Sequence, residues 1–421
     1  MRVMLMALPT RTHIYGLAPI GWALRAAGHE VRFVAQCNPA EVESFMETGL
    51  DVMWFGEDLD IARDRRAGRA TGNSAMDSEY RISETRPEVL TDHYLRTVYE
   101  MWAGHLRWAA SDSFLDDLVP FARHWKPDLV IWDPIIYAGP LIAQAAGAAH
   151  VRMLIATDQT ARLSFQYQEI MRRVDPTGSV PDPLVAWMSE WLGRYGCEFD
   201  EHSRFGAATV DPGPACIRYD VDVNYIPVRF APFNRPMPMP RWLLEQPDRP
   251  RICLTLGVSA RQVHGREETS VGDLLEALAD LDVEVVATLN ADQLADVDRV
   301  PDNVRTVDFV PLNELLATCS AIVHQGGGAT IGNAVVNGVP QLIIPGTTWS
   351  EMASAIAQEK RGNSLFIDLD QVSPAAVRRD VQRLLDEPSF RRCAVEVQQE
   401  MLATPTMHDI VPELERIAAL R

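Results

Sequence analysis

Seven prolines crowd residues 227–250, PVRFAPFNRPMPMPRWLLEQPDRP. Each removes a backbone donor and fixes φ, so the stretch forbids a regular helix or a central strand and reads as a linker. The pattern on either side is the same: short unbroken apolar runs alternate with segments of helical period. Before the prolines the series is VMLMAL (3–8), a helical stretch at 14–27 ending at Gly28, a strand at 30–35, DLVIWD (128–133), an Ala/Gly-rich helical segment to Ala149, and a strand at 151–156. After them it restarts with RICLTLG (251–257), a helix at 271–279, VEVVATL (283–289), and runs at 304–310, 321–324 and 341–344. Strands without polar alternation, separated by helices, imply parallel sheets covered on both faces. At 421 residues the chain also exceeds what one hydrophobic core usually supports. The expected architecture is α/β: two Rossmann-like doubly wound domains facing a cleft, at 1–226 and 251–421. A helical tail from His408 onward is expected, and periodicity leaves open which domain it packs on, the N-terminal one included.

Composition narrows the partners. Lys plus Arg number 39 against 58 Asp plus Glu, a net charge of -19, which opposes the field that nucleic-acid phosphates require. Anionic ligands must be met locally. No apolar run approaches the 18 or so residues of a membrane span, and the N-terminus reads as a first buried strand, so a cytoplasmic protein with neither membrane nor nucleic-acid partner is expected. The six cysteines are scattered without metal spacing, and the triplets Asp58/Asp60, Asp220/Asp222 and Asp280/Asp282 read as solvated turns. No cofactor and no metal are expected.

In open α/β sheets ligands sit outside the carboxyl ends of the strands, which draws attention to His324 and the three glycines after it. A glycine turn opening a helix presents free N–H groups and the positive end of the helix dipole, an arrangement that takes a phosphate; Thr330 adds a hydroxyl donor. Ile331 stands where GxGxxG would need glycine, and no GK[ST] follows, so the dinucleotide and P-loop patterns both fail. A tight turn serving only helix packing is the alternative that spacing leaves open.

HQGGGAT (324–330) followed by NGVPQLIIP (337–345) resembles the nucleotide-sugar signature of GT-B glycosyltransferases, HxGGxGT with GVPQ. With THIYGLAPIGWALRAAGHEV, DLVIWDP, TLGVSAR and VDFVPL, the whole chain is similar to the antibiotic-tailoring enzymes, especially macrolide desosaminyl and mycaminosyl transferases; the likeness is weakest at 56–95 and 165–205. The resemblance implies that His324, Gly327, Gly328 and Thr330 hold a diphosphate. It places Leu256, Gly257, Ser259 and Arg261 over the phosphates and nucleoside, and Val310 at the base through its backbone. His324 and Arg261 would supply cationic or donor contacts to oxygen anions. Two departures stand out: Ala329 replaces the last glycine, and GTTWSEMASA lacks the expected acidic pair, leaving Glu351 as the candidate sugar contact.

Glycosyl transfer to an alcohol needs a base and a stabilised leaving group. His13, ending a loop before a helix, is the candidate base, because the positive end of a helix dipole favours the neutral imidazole a base requires. Asp133 is the candidate that orients it, with Asp158 in reserve, and the resemblance implies a similar His and Asp arrangement. The reading is an inverting, metal-independent glycosyltransferase that moves a deoxysugar, an amino-deoxysugar included, from a dTDP-sugar to a hydroxyl of a macrolide or related polyketide. A hydrophobic acceptor suits the eight tryptophans between Trp22 and Trp191. A cytochrome-P450-like auxiliary protein, expected from the resemblance, would dock at the irregular segment 56–84, and a homodimer is compatible with this reading. A GT-B nucleotide-sugar 2-epimerase and a nucleotide-binding scaffold without catalysis are the alternatives.

Overall fold

The computed structural model describes residues 1–66, 80–257, 267–295 and 297–420. The chain divides into two compact units. One comprises Met1–Pro212, Tyr219–Phe233 and Pro405–Arg421, the other Gly213–Arg218 and Asn234–Thr404.

The first unit is built on seven strands: β1 (Arg2–Met6), β2 (Glu30–Ala35), β3 (Asp51–Trp54), β4 (Leu129–Trp132), β5 (Ala149–Met153), β6 (Thr209–Asp211) and β7 (Tyr225–Pro227). They pair in parallel in the order β3-β2-β1-β4-β5-β6-β7. Val3, Met4, Leu5 and Met6 are each fully buried, as a strand covered on both faces requires. The register couples Val3 to both Val31 and Leu129, so β1 is the centre from which the order runs outward in opposite directions.

Four strands had no apolar run to announce them: β3, β6, β7 and a later β13 (Ser364–Phe366) have three or four residues each. Pro227, read from sequence as the start of the linker, closes β7, an edge strand where a missing N–H costs no ladder bond. The helix after β1 starts at Arg11, so His13 lies in its first turn and not in a loop. The tail helix Val411–Ala419 belongs to this unit. Its Val411, Leu414, Ile417 and Ala418 are buried in the same cluster as Val3, Leu5, Ile131 and Met153.

The second unit repeats the design with β8 (Arg251–Thr255), β9 (Glu284–Thr288), β10 (Val304–Val307), β11 (Ala321–His324), β12 (Gln341–Ile343) and β13. All pair in parallel, in the order β10-β9-β8-β11-β12-β13. Here the order reverses between β8 and β11. The helices Val271–Ala279 and Pro374–Asp386 cover one face through Leu274, Leu278, Val377 and Val381 against Ile252, Leu254, Val285 and Val323. Cys253, Val286, Ile322 and Ala334 lie in a separate buried cluster.

Truncating Leu414, fully buried although it lies seven residues from the end, removes a methyl-rich group from the centre of the first unit's core. Leu414→Ala is expected to cost about 2–5 kcal/mol in chemical denaturation followed by tryptophan fluorescence. A loss below about 0.5 kcal/mol would mean that the tail is not part of that core.

Candidate active site

In a doubly wound sheet the loops diverge where the strand order reverses, and that opening at the carboxyl edge is where a ligand reaches the backbone. The first unit has its reversal between β1 and β4, and the candidate base and its partner follow those two strands. The helix Arg11–Ala26 opens with Thr10 as N-cap, with no side-chain cap bond and no acidic residue of its own in the first turn. His13 sits in that turn, with Nδ1 3.2 Å from Oδ2 of Asp133. Asp133 is fully buried. The same Oδ2 accepts the Leu8 N–H at 2.5 Å, Oδ1 accepts the Ile135 N–H at 2.8 Å, and the Asp133 N–H donates to the Met6 carbonyl at 3.0 Å. Two backbone donors fix the carboxylate, which in turn requires a proton on Nδ1 of the neutral ring. Nε2 is then the nitrogen that can accept one.

Asp158, the reserve candidate, is committed elsewhere. Both its oxygens meet the fully buried Arg152 guanidinium, Oδ2 also accepts the Tyr225 hydroxyl at 2.8 Å, and Oδ1 caps the following helix at Ala161. The tryptophans of this unit are mainly structural: Trp102, Trp125, Trp132, Trp187 and Trp191 are buried, whereas Trp22 is 44% exposed.

In the second unit the reversal lies between β8 and β11, and each strand is followed two residues later by a glycine. Gly257, two residues past β8, is exposed and left-handed at φ +64. Ser259 and Arg261 lie outside the described residues. After β11, Gly326 is buried with φ +88, a conformation that L side chains rarely adopt. It is also hemmed in: a Cβ would stand 3.1 Å from Ile343 and 3.2 Å from the Cβ of Glu351. The helix Gly328–Val336 starts immediately afterwards, with Gly327 as an N-cap that has no side chain to bond the first-turn N–H groups, and without acidic residues in that turn. Gly327 and Ala329 are exposed, Gly328 and Thr330 half-buried. The Thr330 hydroxyl lies 3.9 Å from where a Cβ on Gly327 would be. Unbonded N–H groups, a free dipole end and a hydroxyl thus face one bare stretch of backbone, the chemistry of an anion site. Ala329, already helical and exposed, takes the place of the family's glycine without crowding.

His324 is placed differently from the cationic or donor contact to an anion expected of it. The ring is 1% exposed; Nδ1 accepts the Gly326 N–H at 3.0 Å, and Nε2 lies 3.0 Å from Oε1 of Gln341. Burial pushes the imidazole down to about 4 in spite of the Gln341 hydrogen bond, so at neutral pH it is uncharged with both nitrogens engaged inside the protein. It braces the turn from behind. Val310 is 3% exposed, with its side chain in the cluster of Cys253, Val286 and Leu316, leaving its backbone as what it can offer a ligand.

Glu351 opens the helix Glu351–Arg361 and accepts the Trp349 N–H at 2.6 Å. Burial, with Glu268 nearby, pushes its carboxyl up to about 7. Glu268 accepts from the N–H and hydroxyl of Thr347, and the neighbouring Glu267 accepts from Gln293 at 2.8 Å. Sequence reasoning missed Glu268, which carries no motif, and it placed Gly326 in the turn without its left-handed, crowded position. Among the described residues no group of three or more His, Cys, Asp or Glu could hold a metal ion, and Asp280 and Asp282 instead meet Arg378 and Arg249.

Comparison with known proteins places the full chain among glycosyltransferases. Residues 22–257 match the family described as erythromycin biosynthesis protein CIII-like, N-terminal domain, and residues 272–417 match the C-terminal domain of the same description. All of this chain aligns at 42% identity with aclacinomycin-T 2-deoxy-L-fucose transferase of Streptomyces galilaeus, covering 96% of it, and at 42% with 10-deoxymethynolide desosaminyltransferase of Streptomyces venezuelae, covering 97%. The crystal structure of glycosyltransferase VinC in complex with dTDP covers 100% of both chains at 38% identity and a TM-score of 0.88, which makes the architecture GT-B.

Because the carboxyl of Glu351 titrates higher in the fold than its ordinary value of 4.5, its contribution to stability is complete below pH 4.5 and is lost as pH rises through about 7. Glu351→Gln should therefore gain stability relative to the wild type across that window, measured as the difference in urea midpoints. A difference that stays constant from pH 4.5 to 8 would contradict the burial argument.

Proposed function

The chain belongs to the erythromycin-biosynthesis-CIII-like glycosyltransferases, and from that premise we propose that it transfers a deoxysugar from a dTDP donor to a hydroxyl of a macrolide or related polyketide aglycone. The relatives named above are transferases of 2-deoxy-L-fucose and desosamine, and VinC was solved with dTDP. The observation that carries the reading is the His13–Asp133 pair at one strand reversal together with the uncapped glycine turn at the other.

In this reading the N–H groups at the start of the helix Gly328–Val336 and the Thr330 hydroxyl hold the diphosphate, so that charge developing on the leaving dTDP is met without a metal ion. Gly257, Ser259 and Arg261 complete the phosphate and nucleoside contacts, the Val310 backbone meets the base, and Glu351 contacts the sugar. The acceptor oxygen attacks the anomeric carbon from the side opposite dTDP. A C–O bond forms as the bond to the diphosphate breaks, the acceptor's proton passes to Nε2 of His13, and Asp133 stabilises the imidazolium through Nδ1. Direct displacement inverts the anomeric configuration. The engaged His13–Asp133 pair argues against a scaffold without catalysis.

The protein's setting belongs to the same proposal. Work in the cytoplasm is part of it; among the described residues no helix is long and apolar enough to cross a membrane. A cytochrome-P450-like auxiliary protein and a homodimer remain parts of the proposal. Full activity of the purified chain alone, without co-elution of a helper, would remove the auxiliary protein.

With dTDP-deoxysugar and a polyketide aglycone, His13→Ala should lower kcat by about 10²–10⁴-fold and leave the donor KM within about twofold. Asp133→Asn should act in the same direction by presenting the wrong ring tautomer. Product formation followed by mass spectrometry gives the rates, and NMR of the product gives the anomeric configuration. An unimpaired His13→Ala enzyme would overturn the assignment of the base, and a retained configuration would overturn direct displacement.

A further inference from the structure

Behind the glycine turn runs a line of buried polar side chains whose connection the sequence does not reveal. Its direction is fixed at one end by a backbone group. The Gly326 N–H can only donate, so Nδ1 of His324 carries a lone pair and the ring's proton sits on Nε2. Nε2 therefore donates to Oε1 of Gln341 at 3.0 Å, which turns the Gln341 amide nitrogen toward Oε1 of Gln358, 2.7 Å away. Asn363 donates to that same oxygen at 3.1 Å and fixes the Gln358 carboxamide from the far side. His324, Gln341, Gln358 and Asn363 are all at most 1% exposed. Aligned donors of this kind reinforce one another, and leaving any one unmatched in such an environment is unfavourable.

The line also joins three elements. His324 ends β11, Gln341 opens β12, and Gln358 lies on the helix Glu351–Arg361, whose first residue packs where a side chain on Gly326 would stand. Gln341 is an amide within an otherwise apolar run, VPQLIIP, a position where packing alone would favour a hydrocarbon side chain.

We propose that Gln341, backed by Gln358, is a positioning residue for donor binding: it holds His324 in the Nε2–H tautomer, and His324 in turn holds the Gly326 N–H so that the helix after the turn presents its free N–H groups to the diphosphate. The part concerning the diphosphate rests on the function proposed above. The relay itself does not.

The test compares wild type with Gln341→Met, which keeps the volume and removes the acceptor, and with Leu342→Ala, a buried neighbour outside the relay that serves as a control for lost stability. Long-range ¹⁵N–¹H spectra report the His324 tautomer, hydrogen–deuterium exchange reports the backbone at 324–330, and calorimetry gives dTDP affinity. Gln341→Met should lose the pure Nε2–H tautomer, exchange faster at the turn, and bind dTDP about tenfold more weakly, the size of one buried hydrogen bond. Leu342→Ala should show none of these beyond its change in global stability. Gln358→Met, one step further from the turn, should move the same readouts by less and stands in if Gln341→Met does not fold. An unchanged tautomer and unchanged turn exchange in the glutamine variants would overturn the relay. A changed turn with dTDP affinity within twofold of wild type would overturn its role in binding. Wild type that fails to bind dTDP would sink the nucleotide reading together with that role, while exchange at the turn would still decide the relay.

Discussion

An all-parallel sheet covered on both faces leaves polar chemistry one place to go. Its faces are closed by helices, its strands are mostly apolar, and loops separate at the carboxyl edge where strand order reverses. Each unit has one such reversal, β1 against β4 and β8 against β11, and the groups with chemical potential gather there. His13 and Asp133 follow the first pair, and Gly257 and the glycine triplet follow the second. Each position is a consequence of topology as much as of side-chain identity.

The two sites use backbone in different ways. Around Asp133, backbone N–H groups of Leu8 and Ile135 act inward on a buried carboxylate, leaving it one direction in which to orient a histidine. At the glycine turn the N–H groups face outward, since Gly327 has no side chain and the first turn has no acid to satisfy them. A chain carrying a net charge of -19 can present anion-binding character through backbone dipoles without assembling a basic patch. The neutral, buried His324 fits that economy of charge, because it shapes the turn through hydrogen bonds alone.

Much of this was legible in the sequence because the signals were local. Apolar runs located β1, β2, β4, β5 and the strands from β8 to β12, and the helical period around 271–279 located the helix Val271–Ala279. His13 and Asp133 were found because strand ends are visible in sequence, although their 3.2 Å pairing joins residues 120 apart. What was missed was short or relational. Strands of three or four residues at or near sheet edges lack an apolar run, and β7 even ends in proline. The packing of the tail helix depends on partners hundreds of residues away. His324 was read as a contact for oxygen anions because its position beside the glycines was visible, whereas Gln341, the group that takes up its second nitrogen, lies on another strand.

The most direct measurement is a crystal structure of the purified chain with dTDP in the absence of divalent metal. The account predicts phosphate oxygens within hydrogen-bonding distance of backbone N–H groups at the start of the helix Gly328–Val336, with His324 still bonded to Gly326 and Gln341. A diphosphate bound away from that turn, or held there by side chains alone, would contradict it.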